Sequence, residues 1–366
     1  MTLTSHKIIV DKRMRSISLP LKFAIGHKIS SKFIERHDSI IVIPEIYVKK
    51  RNVPVVICQK GCNYDSNSLE PFLNSVQFPN INKRITPNLG NCEIVPLDEK
   101  INGHVLSLFR PADQIYGHWI LDILPRVWLC EKHSTFQPTY LVRSPPSFAI
   151  KLLKYLGISE KRIFNVDILI KSNNAIFKTS NSLEVSNLRY NQHFSRLMKT
   201  FGEYLYASIT SNNKFREELN ILNPEGLNSS KIFISRKHST KKFRQLLNRD
   251  EIENIFIEKE FKIICPEKLS ITEQAHIFRN ASIIAGEDGS GLHNTIFSLK
   301  NVHCLNLRSS KNGSTIQGNL NSLFGLHSSY VFGPISDTRL NRQSNYVIDK
   351  EDILKAINIL NKDIQK

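Results

Sequence analysis

Two short stretches of the chain hold side chains whose types and spacing could do chemistry. In Tyr116-Gly-His-Trp-Ile-Leu-Asp-Ile-Leu-Pro-Arg126, His118, Asp122 and Arg126 recur every fourth residue. On a helix that spacing stacks the three on one face and leaves Trp119, Leu121, Ile123 and Leu124 to the others. A carboxylate beside an imidazole and a guanidinium is equipment for deprotonating a hydroxyl: Asp122 takes the proton, and His118 serves as its partner or its substitute. A plainer reading fits the same residues, with His118 and Asp122 a partly buried pair that only satisfy each other. Pro125 removes one backbone donor and bends the segment.

The second stretch is Ser282-Ile-Ile-Ala-Gly-Glu-Asp-Gly-Ser-Gly-Leu-His-Asn294, a buried strand that runs into three closely spaced glycines and then a helix from Gly291. Glycines let a backbone approach a ligand, and the free amides of a helix start favour an anion. Gly289, Ser290, Gly291, His293 and Asn294 thus form a candidate diphosphate cradle, although a turn that merely joins strand to helix would need the same glycines. Arg236 directly follows the strand Lys231 to Ser235, and Arg244 lies at the start of the next helix. Guanidinium groups grip phosphate oxygens in pairs, so both are candidates to close on the diphosphate; solvated surface arginines are the alternative. No Gly-Lys-Ser/Thr follows the loop and Gly-x-Ser-x-Gly is not matched, which disfavours a nucleoside triphosphatase or an α/β-hydrolase.

These residues need strands and helices to position them. Short apolar runs alternate with helical patterns, the signature of α/β architecture. Strands are expected at Ser39 to Ile43, Pro54 to Cys58, Val105 to Phe109, Thr139 to Val142 and Arg162 to Val166, with helices at Asp113 to Cys130 and Pro146 to Leu156. Residues 66–91 read as loop. A helix over Asn191 to Leu222 and a turn at Asn223 to Gly226 read as a linker (191–226) between an N-terminal domain (1–190) and a C-terminal one (227–335). In the latter, strands at Lys231 to Ser235, Lys262 to Cys265, Ser282 to Ala285, Val302 to Leu307 and Tyr330 to Phe332 alternate with helices at Leu246 to Ile257, Ile271 to Arg279 and Gly291 to Phe297. That series predicts a Rossmann-like sheet. Residues 336–366 form a tail whose helix, Lys350 to Asn361, packs back through Ile353, Leu354, Ile357 and Leu360.

The chain has 366 residues, with 50 Lys and Arg against 33 Asp and Glu, a net charge of +17. Such a surface favours anionic partners: nucleotide phosphates, acidic lipid or nucleic acid. A non-enzymatic polyanion-binding protein is therefore the alternative to an enzyme, but no nucleic-acid motif is present and a nucleic-acid partner is not expected. The six cysteines are scattered, mostly in apolar stretches, and read as reduced thiols. Neither a signal peptide nor a membrane-spanning stretch is read, so a cytoplasmic protein is expected, held peripherally on the inner face of the membrane by its charge. Asp-x-Asp is missing, so no metal cofactor is expected.

With these residues in place, the chain resembles glycosyltransferase family 61, a GT-B fold group with eukaryotic enzymes that add N-acetylglucosamine or pentose and bacterial members of surface-polysaccharide clusters. Tyr116 to Arg126 is similar to the family's His-Trp-Leu-x-Asp-x-Leu-Pro-Arg signature. The likeness continues in Ser235-Arg236, Arg244-x-Leu-x-Asn248, Pro266-Glu267 with Gln274, and the glycine loop leading to Asn294 and Phe297. It runs over roughly Gly103 to Leu307. Two departures stand out. Asp288 and Ser290 occupy the His and Ala positions of the family's Gly-x-His-Gly-Ala-Gly-Leu-x-Asn, and Asn248-Arg249 stands where Asn-Glu is common. The resemblance implies two Rossmann-like domains facing a central cleft, the donor held by the C-terminal one and the glycan or lipid-linked acceptor by the N-terminal one, near Trp119 and Arg126. It implies inverting, metal-independent transfer from a nucleotide sugar, a UDP-sugar first among them, in capsular or other surface polysaccharide synthesis. Glu267 is then placed to meet the nucleoside.

Overall fold

The computed structural model describes residues 104–108, 113–133, 137–142, 144–165, 195–211, 230–239, 243–312, 314, 316–336 and 343–364, and beyond these only strand assignments between residues 8 and 185. The expected loop at 66–91 and turn at 223–226 lie outside the described residues. The chain divides into two compact units, one of residues 23–190 and one of residues 1–22 with 191–366. Strand β1 (Ile8–Ile9) belongs to the second.

In the first unit, strands β2 (Ile34–Val42), β5 (Ile57–Cys58), β6 (Glu93–Pro96), β7 (Val105–Ser107), β8 (Thr139–Val142), β9 (Ile163–Asn165) and β10 (Ala175–Val185) form one sheet, while β3 (Ile46–Val48) and β4 (Arg51–Val53) pair separately. The order is β5-β2-β10-β7-β8-β9 with β6 beside β10. The segment from β10 to β9 is parallel, and β2 and β5 add antiparallel strands. Helix α1 (residues 116–133) crosses from β7 to β8, and α2 (Ser147–Tyr155) from β8 to β9. This βαβαβ run needs helices packed on its sheet. Val105, Leu106, Tyr140 and Leu141 supply buried sheet residues, and Leu152 and Leu153 are buried on α2.

Helix α1 departs from the uniform helix expected over Asp113 to Cys130. It runs through Tyr116–His118, a π-helical turn at Trp119–Ile123, and Leu124–His133. The Leu124 amide reaches back five residues to the Trp119 carbonyl. Pro125 explains the wide turn: it has no N–H to give the preceding turn, and its ring crowds the carbonyl four residues back.

The second unit carries β11 (Lys231–Ile234), β12 (Lys262–Ile264), β13 (Ile283–Glu287), β14 (His303–Ser309) and β15 (His327–Gly333) in the order β1-β15-β14-β13-β11-β12. All but the edge pairing with β1 are parallel. From β11 the chain first moves outward to β12 and then reverses to β13, so the order switches direction between β11 and β13. In open parallel sheets that switch point is where ligands collect.

Helix α3 (Ser195–Thr210), the described part of the expected linker, belongs to this unit. It buries Met198, Phe201, Leu205 and Ile209. On the sheet, Phe233, Ala285, Leu305, Leu307 and Val331 share a core with α4 (Arg249–Glu258) and α7 (Lys350–Ile364), which adds Ile353, Ile357 and Leu360. Helix α5 (Ile271–Asn280) starts at a capping box between Ser270 and Glu273. Helix α6 (Ile316–Phe324) was not expected from the sequence. The segment expected as an α-helix from Gly291 is a 3-10 helix, Ser290–Phe297.

Candidate functional site

On α1 every residue from Trp119 to Cys130 is buried except Arg126. Asp122 is 0 % exposed, and its Oδ2 lies 2.7 Å from Nδ1 of His118, whose side chain is 28 % exposed. The sequence places these three polar side chains on one face; the structure adds that only His118 and Arg126 reach solvent. Asp122 is therefore shielded, and the imidazole is the member of the pair that reaches solvent. A carboxylate on Nδ1 fixes the ring and leaves Nε2 as the outward nitrogen. Trp119, expected to face an acceptor, is a core residue: its indole N–H donates to the Asp113 carbonyl, and its ring meets Phe148 edge-on. Phe148 also meets Tyr116. The aromatic cluster pins α1 to α2 and so fixes where His118 emerges.

At the switch point of the second unit, Arg236 follows β11 and the glycine loop follows β13. Arg236 and the loop are joined: the Arg236 amide donates to Glu287 Oε1 at 2.9 Å, and its Nη1 donates to the carbonyl oxygens of Arg244 at 2.9 Å and Asp288 at 3.3 Å. A Cβ on Gly289 would meet the Arg236 side chain at 3.3 Å, so this glycine makes room for the arginine crossing it. A Cβ on Gly291 would meet Ile234 at 3.1 Å and Pro266 at 3.2 Å. These two glycines thus serve close packing against this chain's own residues, where the sequence suggested approach of a ligand. Gly289, Ser290 and Gly291 remain part-exposed.

Arg244 sits in a loop and not at a helix start, since α4 begins at Arg249. Its φ of 55° places it in the left-handed region, and its amide donates to the Gln343 carbonyl at 3.1 Å. Holding a non-glycine residue there costs about 1 kcal/mol or more, which the surrounding bonds must offset. The result brings its Nη1 within 3.5 Å of Asp288 Oδ2.

Asn294 does not face a ligand: it is fully buried and donates to Gln274 Oε1 at 2.6 Å, while Gln274 donates to the Pro266 carbonyl at 2.8 Å. Those bonds tie the 3-10 segment to the turn after β12. His293 is part-exposed, with Nδ1 2.9 Å from Gln317 Oε1. Glu267 lies exposed in the short turn Pro266–Lys268 beyond β12.

The two departures from the family pattern find partners. Arg249 grips Glu287 with Nε to Oε1 at 2.6 Å and Nη2 to Oε2 at 3.0 Å. Burial works against the Arg249 charge, yet the pairing outweighs it and raises its pKa. Asp288 accepts from Asn312 at 2.6 Å and Asn306 at 3.4 Å, besides facing Arg244. Its charge is thereby engaged within the protein. Sequence reading missed Glu287, Arg308, Asn306 and Asn312 as site neighbours. The available signal was a charged residue at or next to the carboxyl end of each of two parallel strands, Glu287 on β13 and Arg308 on β14. Among the described residues, no three His, Cys, Asp or Glu side chains gather as a metal site would require.

A family model described as Glycosyltransferase 61 matches residues 116–305, just over half of the chain. The match begins at α1 and ends within β14, so it takes in the α1 residues and the second group from Arg236 to Asn294, while Asn306, Arg308 and Asn312 lie just beyond it. A comparison with curated proteins finds no match.

Proposed function

Because the chain belongs to glycosyltransferase family 61, and the family's activity is glycosyl transfer in general terms, we propose that it moves a hexosyl or pentosyl group from a nucleoside diphosphate, with UDP the first choice, to a hydroxyl of a glycan acceptor. The observation that carries the reading is the presence in one chain of both parts, each within its own unit: a part-exposed imidazole backed by a buried carboxylate, and arginines with a glycine loop at a switch point. The GT-B assignment belongs to the same proposal and is supported by the parallel, direction-switching sheet of the C-terminal unit.

In this mechanism the acceptor hydroxyl attacks the anomeric carbon as the bond from that carbon to the diphosphate oxygen breaks. One displacement inverts the configuration. The hydroxyl proton passes to His118 Nε2, and Asp122 holds the ring and stabilises the imidazolium that forms. This assigns the base to His118, where sequence alone put it on Asp122, because a fully shielded carboxylate does not meet the acceptor. The electron pair of the broken bond stays on the diphosphate. Arg236, Arg244 and the part-exposed backbone of Gly289 to Gly291, with Ser290 and His293, answer that charge. Asn294 supports from behind through Gln274, Glu267 is assigned to the nucleoside, and Arg126 to the acceptor. Arginines supplying the positive charge make the proposed transfer metal-independent.

Capsular or other surface polysaccharide assembly on a lipid-linked acceptor is the proposed setting, with the enzyme cytoplasmic and peripheral on anionic lipid. The +17 charge supports it. No described helix is long and apolar enough to cross a membrane. The test is release of nucleoside diphosphate from a panel of sugar nucleotides in the presence of a membrane glycolipid fraction, with product configuration read by NMR. Release of one nucleotide that His118→Ala abolishes supports the reading. Release that is equal in wild type and His118→Ala removes the assigned base, and no release from any donor with any acceptor fraction removes the enzyme.

A further inference from the structure

Asn306 and Arg308 leave the same face of β14, being two residues apart, and Tyr330 is Asn306's neighbour across on β15. Arg308 is 3 % exposed, with its guanidinium carbon 5.5 Å from the centre of the Tyr330 ring. Its Nε and Nη2 make no hydrogen bond to any described residue, and neither does Asn306 Oδ1. The nearest carboxylate oxygen is Asp288 Oδ1, 3.8 Å from Nη2, which is too far for a hydrogen bond. Asp288 does not close that distance because Asn312, Asn306 and Arg244 already hold it.

Nε and Nη2 share one edge of a guanidinium. Arg249 uses the same edge to grip both oxygens of Glu287. Arg308 presents an equivalent fork that no group among the described residues fills, in a place where unanswered donors are costly. Two parallel N–H groups match the oxygens of a carboxylate or a phosphoryl group better than they match a lone hydroxyl. The neighbourhood also leaves a surplus of positive charge, since Asp288 faces both Arg244 and Arg308. Asp288 links this position to the first one: Arg236 bonds its carbonyl oxygen, and Arg308 faces its carboxylate.

We propose that Arg308, with Tyr330 packed against it, receives an oxyanion of the bound ligand. The source is either a phosphoryl group of the nucleotide or the carboxylate of a uronic acid sugar. The inference takes its ligand from the donor-binding reading above, but its geometry is independent of that reading.

The test is calorimetric titration of inorganic pyrophosphate, UDP, UDP-glucose and UDP-glucuronate into the full chain as wild type, Arg308→Gln, Arg308→Lys, Tyr330→Phe and Arg236→Ala. With a phosphoryl source, Arg308→Gln weakens pyrophosphate and UDP by about tenfold or more. With a carboxylate source, UDP and UDP-glucose are unchanged by Arg308→Gln, and the wild-type preference for UDP-glucuronate over UDP-glucose disappears. In either case Arg308→Lys, which keeps the charge but loses the fork, retains most of the defect, and Tyr330→Phe gives a smaller loss for the same ligand. If Arg308→Gln does not fold, the lysine and phenylalanine variants decide. Folded variants at position 308 that bind all four ligands like wild type overturn the proposal, and if Arg236→Ala has meanwhile lost nucleotide binding, the donor reading survives alone. If no nucleotide binds wild type, the donor reading fails; the inference then stands only if pyrophosphate or free glucuronate raises the Tm of wild type and not of Arg308→Gln, and falls otherwise.

Discussion

Around His118 a single carboxylate, buried in an apolar helix, backs one part-exposed imidazole. Around Arg236 the chain instead gathers charges on two neighbouring carboxylates, Arg249 on Glu287 and Arg244 and Arg308 facing Asp288. The first arrangement suits a proton that must move: one part-exposed ring whose Nδ1 is engaged by a buried carboxylate. The second suits a charge that must be held, because several fixed donors surround the place where it sits and their own counter-charges keep them ordered. The difference also separates what mutation should do. Breaking the first region should stop chemistry and leave the fold, whereas breaking the second should cost stability or binding.

The largest effect is expected at His118. Alanine there should lower turnover by about 10²- to 10⁴-fold, the usual worth of a general base, with donor affinity unchanged. Asp122→Asn should also slow turnover, since an amide no longer enforces the tautomer. A parallel loss of donor affinity in His118→Ala would erase the distinction between the two regions. Next comes Arg249→Leu, which strands the fully buried Glu287 carboxylate and should cost about 3 kcal/mol in urea unfolding. Replacing Glu287 by Leu as well should recover most of that loss.

Smaller effects sharpen the comparison. Trp119→Phe removes the bond to the Asp113 carbonyl and should cost about 1 kcal/mol, with turnover falling only as far as His118 is misplaced. Gly289→Ala should displace the Arg236 side chain and weaken nucleotide binding a few-fold, with little change in Tm because the backbone there is extended. The smallest change concerns pH. Burial lowers the His276 pKa below its usual value, so the unfolded chain takes up that proton first as the pH falls. The stability this neutral ring contributes is complete above the ordinary histidine range and is lost as the pH drops below it. Subtracting the pH profile of His276→Gln from that of wild type should leave a difference that shrinks on acidification; a flat difference would contradict the assignment.

Much of the positioning framework was legible because apolar strands declare themselves. Thr139–Val142 was expected with those bounds, and β11, β12 and α5 lie within a residue of expectation. What escaped had physical causes. Helix α6 buries Gln317 and Asn321, amides that look solvent-facing in a sequence but bond to partners on other elements, Gln317 to Thr295 and Asn321 to Ser328. Helix α4 starts three residues later than its apolar pattern suggested because Leu246 is taken by a bridge to Tyr346. The His118–Asp122 pair was readable from spacing, yet its division of labour was not, since burial decides which partner meets substrate. Arg308 was invisible as a site residue: only the sheet register brings it beside Tyr330 and Asp288.

The most direct measurement is a titration of UDP, GDP, CDP and CMP into wild type, Arg236→Ala and His118→Ala. One nucleotide should bind wild type and His118→Ala equally and bind Arg236→Ala about tenfold or more weakly. Equal binding to all three proteins, or none to wild type at millimolar nucleotide, would contradict the assignment of the switch point to the donor.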